Sequence, residues 1–73
     1  MTNEKLTKQI ENNFTYHPVK EGQPERYVSI REMAKALAHH LNENCPDSRE
    51  KSLALTHLEQ SVFYANAAIA RNE

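Results

Sequence analysis

Only one glycine, Gly22, occurs in the 73 residues. Glycine supplies the positive-φ positions that tight hairpin turns and sheet corners need, so a strand-rich fold is disfavoured from the outset. Ala, Leu, Glu and Lys make up much of the remainder, and these residues lose least on entering a helix. The expectation is an all-α fold. A chain this short is one domain, residues 1–73, and buries only about 60% of the surface its unfolded form exposes. Such a domain needs a staple or a partner. Cys45 is the only cysteine, so no disulfide forms within the chain, and a lone thiol fits a reducing cytoplasm.

Charge and hydropathy exclude further classes. Nine Lys and Arg against ten Asp and Glu leave a net charge of −1, which argues against non-specific binding to duplex DNA. It leaves room for a small anion held by a few placed cations. No apolar run approaches the roughly 20 residues of a membrane span. The opening MTNEKLTKQIENN is charged and lacks the apolar stretch of a secretory signal.

Periodicity divides the chain into an N-terminal helix (1–12), an aromatic loop (13–23) and a helical hairpin (24–72). The first segment, about Thr2 to Asn12, offers only Leu6 and Ile10 at i and i+4, so it packs on a partner or frays. The loop carries Pro18 and Gly22. The second helix starts near Pro24, and Tyr27, Ile30, Ala34, Leu37 and Leu41 form one apolar stripe until Pro46 stops the segment. Asp47 is the expected N-cap of the third helix, with Glu50 completing a capping box. That helix runs to about Arg71, roughly 36 Å at 1.5 Å per residue. Leu55, Leu58, Val62, Ala65 and Ile69 give it a heptad-like seam, and the short connection makes the pair an antiparallel hairpin.

The seam is not the third helix's only apolar surface. At about 100° per residue, Leu53, Phe63, Tyr64 and Ala67 fall on another side. A two-helix hairpin covers one stripe, so this second face calls for other copies of the chain. The alternative is that the first helix covers it.

No arrangement for catalysis is evident. His39 and His40 are adjacent and diverge by about 100° on a helix, and neither HExxH nor paired CxxC occurs among the residues. Solvated or packed histidines are the simpler reading. Cys45 sits at a helix C-terminus, which raises rather than lowers a thiol pKa. The chain reads as a non-enzyme with no metal and no cofactor. The aromatic loop is the better lead. Tyr16 and His17 precede Pro18, and flat rings on a stiffened backbone make stacking platforms for bases. Arg31 and Lys35, at i and i+4, project from one helix face and suit phosphates. From the residues alone, Tyr16 as a loop anchor and the two cations as a solvated face remain the simpler alternative.

The segments FTYHP, IREMAKALA, CPDSREKSLALTHLE and ANAAIARN together cover most of residues 13–72. They resemble the phage anti-CBASS cyclic-nucleotide sponges, whose helical hairpin domain is shared with the Thoeris anti-defence sponges. The resemblance implies a homohexamer, a trimer of dimers, with each cyclic dinucleotide held uncleaved between protomers. It assigns base stacking to Tyr16 and a ligand contact to Arg31, where a family member carries lysine. His17 and Lys35 join them as candidate ligand residues. Some relatives also bind cyclic trinucleotides at separate sites, for which Arg71 is the candidate. Two departures stand out: Tyr64 occupies a position where relatives often show Trp, and His39–His40 replaces less polar residues. Thoeris-type members carry additional structure before the hairpin, which favours the shorter anti-CBASS type here.

The implied function is sequestration of cyclic oligonucleotide messengers, blocking CBASS signalling in the cytoplasm of an infected bacterium. Expected partners are cyclic di- and trinucleotides and other copies of the chain, with neither DNA nor membrane. The alternatives are a sponge for Thoeris cyclic ADP-ribose-type signals, or a helical adaptor that docks its apolar face on a host protein.

Overall fold

Three helices make up the computed structural model, which describes residues 2–73; Met1, part of the expected 1–73 domain and 1–12 helix segment, lies outside the described residues. They are α1 (Glu4–Asn13), α2 (Gln23–Asn44) and α3 (Arg49–Asn72). No strand occurs among the described residues, so the all-α expectation and the hairpin of α2 and α3 both hold. Helix α1 begins two residues later than Thr2 because Asn3 caps it: its side-chain oxygen accepts the Leu6 N–H at 3.1 Å. Helix α2 starts from Gly22, whose φ of 83° lies in the left-handed region. The single glycine therefore stands where the chain turns out of the loop. At the far end the Cys45 N–H donates to the Leu41 carbonyl at 3.0 Å before Pro46 ends the helix.

The cap of α3 is Ser48, not Asp47. The Ser48 hydroxyl accepts the Lys51 N–H at 3.1 Å and donates to the Pro46 carbonyl at 3.0 Å. Asp47 instead meets the Lys51 ammonium at 2.9 Å, four residues on, and that hydrogen bond holds its carboxyl below the usual range. With the helix starting at Arg49, the third helical residue is Lys51, so the expected capping box through Glu50 does not form. Ser48→Ala should cost about 1 kcal/mol, the usual value of a cap. Asp47→Ala should cost less, because an exposed ion pair is a weak stabiliser. Paired thermal melts by circular dichroism check that order, and a larger loss for the aspartate variant would restore the first assignment.

Helices α2 and α3 meet along the expected seam, with one correction. Tyr27, Ile30, Ala34 and Leu41 are half-buried, as are Leu55, Leu58, Val62, Ala65 and Ile69. Leu37 is 45% exposed, and Ala38 takes its place in the seam. The two positions are alike in period, since either fills the gap between Ala34 and Leu41 with one step of three and one of four; it is Ala38 that lies half-buried.

The molecule is a single layer. Its principal extents are 48 × 36 × 13 Å and its radius of gyration is 16.2 Å, against about 11 Å for a compact chain of this length. A helix with its side chains is itself about 10–12 Å across. No apolar residue is fully buried among the described residues. Helix α1 does not cover the second face, contrary to the alternative above. Its Leu6 and Ile10 are about half exposed, and Phe63 and Tyr64 are 61% and 74% exposed. Stable domains pack two layers around a core; this chain supplies one.

Candidate functional site

The loop between α1 and α2 crosses the end of the hairpin where α2 begins and α3 finishes. Two polar ties hold it there. In the first, the His17 ring bonds the Asn12 carbonyl through Nε2 at 2.7 Å, and the Asn12 amide donates to the Arg71 carbonyl at 3.0 Å. The second centres on Gln23, the one fully buried residue among those described. Its amide oxygen accepts the Lys20 N–H at 2.9 Å and its amide nitrogen donates to Glu73 at 3.2 Å. Glu73 also accepts both guanidinium nitrogens of Arg26, one at 2.7 Å, and the Lys20 ammonium donates to its carbonyl.

That ion pair sets the acid behaviour of the tie. Hydrogen bonds from Arg26 and then Gln23 lower the Glu73 carboxyl from 4.5 to about 2. A carboxyl depressed in the fold contributes stability above its unfolded value and loses it as pH falls through the folded one. The tie should therefore be constant at neutral pH, weaken below about pH 4.5, and be gone near pH 2. A carbon-detected NMR titration of Glu73 checks this. The midpoint should lie near 2 and rise toward the ordinary carboxylate range in Arg26→Ala, with the Gln23 hydrogen bond still lowering it. A midpoint unmoved by that substitution would show that Arg26 is not the cause.

With the loop so placed, Tyr16, His17, Tyr27, Arg31, Asn66 and Arg71 line one hollow of about 610 Å³. Ala67 and Ala70 lie on its wall as well, short side chains that leave the space open. Four of the five expected ligand residues are thus brought together: Tyr16, His17, Arg31 and Arg71. Lys35 is not among them. It sits one turn further along α2, in an apolar hollow of about 480 Å³ that includes Leu58, Val62 and Phe63 and shares Arg31 with the first. The i, i+4 pair does share a face, but only Arg31 reaches the loop side.

Tyr16 is 83% exposed, so its ring does not anchor the loop. The hollow contains two arginines and no Asp or Glu, which favours an anion. Arg71 also borders two neighbouring hollows, one toward α1 with Lys8 and Tyr64 and one with Phe63 and Tyr64. Sequence reasoning missed Asn13, Thr15, Tyr27 and Asn66 among the lining residues. Periodicity places Tyr27 in the seam, yet a tyrosine at the edge of a stripe presents its rim to both sides. Asn66 carries a legible signal, a lone amide within the run ANAAIA of residues 65–70.

Among the described residues no group of three or more His, Cys, Asp or Glu could hold a metal ion, and no helix is long and apolar enough to cross a membrane. Compared with known proteins, the chain matches no curated protein and no solved structure. A family model described as the Acb2/Tad1 hairpin domain matches residues 7–70. That match spans the end of α1, the aromatic loop and nearly all of the hairpin, and on it the chain belongs to the Acb2/Tad1 hairpin-domain family.

Proposed function

We propose that the chain sequesters cyclic oligonucleotide messengers, cyclic dinucleotides first, without cleaving them, and so blocks CBASS signalling in the cytoplasm of an infected bacterium. Membership in the Acb2/Tad1 family suggests a cyclic-nucleotide sponge in anti-defence. The observation that carries the finer reading is the hollow itself: an exposed tyrosine ring beside two arginines with no carboxylate among them. Its volume of about 610 Å³ falls in the range of small-ligand sites, about 300–1,000 Å³. Tyr16 stacks on a base, and Arg31 holds a phosphate or a base edge. His17 steadies the loop through Asn12 and Arg71 lies across from it. Sequestration needs no chemistry beyond this, only tight binding and slow release.

The open apolar layer supports self-association as part of the same reading. Two copies related by a two-fold axis present each residue twice, matching a ligand with two bases and two phosphates. A trimer of such dimers also offers a three-fold axis for a cyclic trinucleotide, with Arg71 as its contact. Light scattering should give a mass near six times the 8.4 kDa of one chain. A monomer at micromolar concentration would remove the shared site.

Function is tested by mixing the protein with cyclic dinucleotides, measuring depletion from solution, and then denaturing it with heat. Recovery of intact nucleotide supports the sponge, and altered nucleotide points to an enzyme. Depletion of cyclic ADP-ribose-type signals alone would move the reading to Thoeris. No depletion of either class would favour an adaptor that uses the Phe63 face.

A further inference from the structure

Two amides are the most covered side chains around the loop, and apolar packing explains neither. Asn12 is the only residue of α1 that is not exposed, and α1 makes little contact with the hairpin. Gln23 is the one fully buried residue among those described. Both amides reach the C-terminal end of α3. That of Asn12 donates to the Arg71 carbonyl at 3.0 Å, and that of Gln23 to the Glu73 carboxylate at 3.2 Å. The Arg71 carbonyl is among the last four of α3, which have no partner within the helix. Each amide residue also grips the loop. The Asn12 carbonyl bonds the His17 ring. The Gln23 side-chain oxygen accepts the Lys20 N–H, while the Gln23 N–H donates to the Lys20 carbonyl at 3.2 Å. Neither Asn12 nor Gln23 lines the hollow that Tyr16, Arg31 and Arg71 border.

We infer that Asn12 and Gln23 are positioning residues: by fastening the loop to the end of α3 they hold the Tyr16 ring opposite Arg31, without touching the ligand. This rests on the proposed cyclic-nucleotide reading. Tyr16 lies four residues after Asn12 and four before Lys20, so one fastening stands on either side of it. Its ring is 83% exposed and has no packing of its own to fix it. The hairpin carries Arg31 and Arg71, whereas Tyr16 stands on a segment joined to it by these few bonds. An amide suits the task, because it donates and accepts at once and can join two stretches of chain. A loop already in place when the ligand arrives spares binding the cost of ordering it. A loop in place only part of the time weakens binding by that fraction.

The test uses two variants, one for each fastening. Asn12→Ala and Gln23→Met remove the amides at equal or better helix propensity, and methionine keeps the length of the buried side chain. The probes are cyclic dinucleotides of two adenosines, of two guanosines and of one of each, with affinities read by calorimetry. The order of the free loop is read by NMR relaxation of the backbone amides of residues 14–19. Asn12→Ala should weaken binding by up to about 12-fold for each loop that meets the ligand, the ceiling set by one ordinary hydrogen bond. Gln23→Met removes two and should weaken it by up to about 140-fold. In both free variants the loop's order parameters should fall from about 0.85 toward about 0.6. Helical signal and melting should stay near native, because the seam is untouched. Three results would overturn the inference. In one, the loop is as ordered in both variants as in the native chain. In another, the loop loosens but both variants bind with native affinity. In the third, affinity falls only together with the melt in both variants while the loop keeps its order, which would make the amides purely structural. If the native chain binds none of the probes, the cyclic-dinucleotide reading fails and takes this inference with it. If it binds them and both variants match it, only the inference fails.

Discussion

A Leu58→Asp chain should lose most of its helical signal at room temperature. Leu58 lies mid-seam on α3, half-buried against α2. Removing a half-covered leucine forfeits roughly 1–2 kcal/mol of apolar burial. The new carboxylate either stays ionised in a poorly hydrated seam or takes up a proton, at about 1.4 kcal/mol per pKa unit. Together these amount to several kcal/mol, against a total of about 4–11 kcal/mol for a chain of this length at typical stability per residue. Phe63→Asp is the contrast. Phe63 is 61% exposed, so the hairpin of a single chain has little to lose there. That variant should stay helical while its mass by light scattering falls. Circular dichroism on the two variants separates the seam from the outer face. Equal stability of Leu58→Asp and the native chain would mean that the seam does not hold the hairpin together.

Tyr16→Ala should abolish most cyclic-dinucleotide binding while leaving the helices intact. The ring is 83% exposed, so the fold gains little from it. Base–aromatic stacking is worth about 1–3 kcal/mol per base. A two-fold site uses the residue twice, so the expected loss is about 2–6 kcal/mol, or roughly 30- to 20,000-fold in affinity. Arg31→Ala should weaken binding comparably through lost charge-assisted bonds, and Arg31→Lys should be milder. Calorimetry with cyclic dinucleotides measures all three. Native affinity in a folded, assembled Tyr16→Ala would place the ligand elsewhere.

Much of this architecture is legible in the residues, for reasons that differ by element. The scarcity of glycine and the long apolar periods of α2 and α3 specify helices because both are local properties of the backbone and its side-chain spacing. The loop was legible because Pro18 and Gly22 forbid helix, and Gly22 indeed takes the positive φ. Errors arose where one residue's difference in register decides the outcome. Asp47 and Ser48 both suit a cap, and only the entry path of the chain selects Ser48. Leu37 and Ala38 both suit the stripe at the same average period, and only the way α2 lies against α3 leaves Ala38 half-buried and Leu37 exposed. The aromatic loop and the helix spacing bring Tyr16, His17 and Arg31 forward, the resemblance gives Tyr16 and Arg31 their roles, and Arg71 follows from its place near the end of the third helix, yet periodicity says nothing of how a loop folds back over a hairpin end. Placing those four around one hollow depends on the Asn12 and Gln23 ties, each joining residues about fifty or more positions apart. Lys35 shares its helix face with Arg31 but not its surroundings, a distinction that spacing alone does not draw.

The single helical layer has a calorimetric consequence. Heat-capacity change on unfolding follows newly exposed apolar surface, and a compact chain of this length would show about 1 kcal/mol/K. Here no apolar side chain is fully buried among the described residues, so one chain alone has little such surface to release. Its melting would be broad and its stability curve nearly flat with temperature. A sharp transition with an ordinary heat-capacity step would therefore belong to surfaces between molecules, and its midpoint would climb with protein concentration. For this fold, cooperativity is a quantity set by dose.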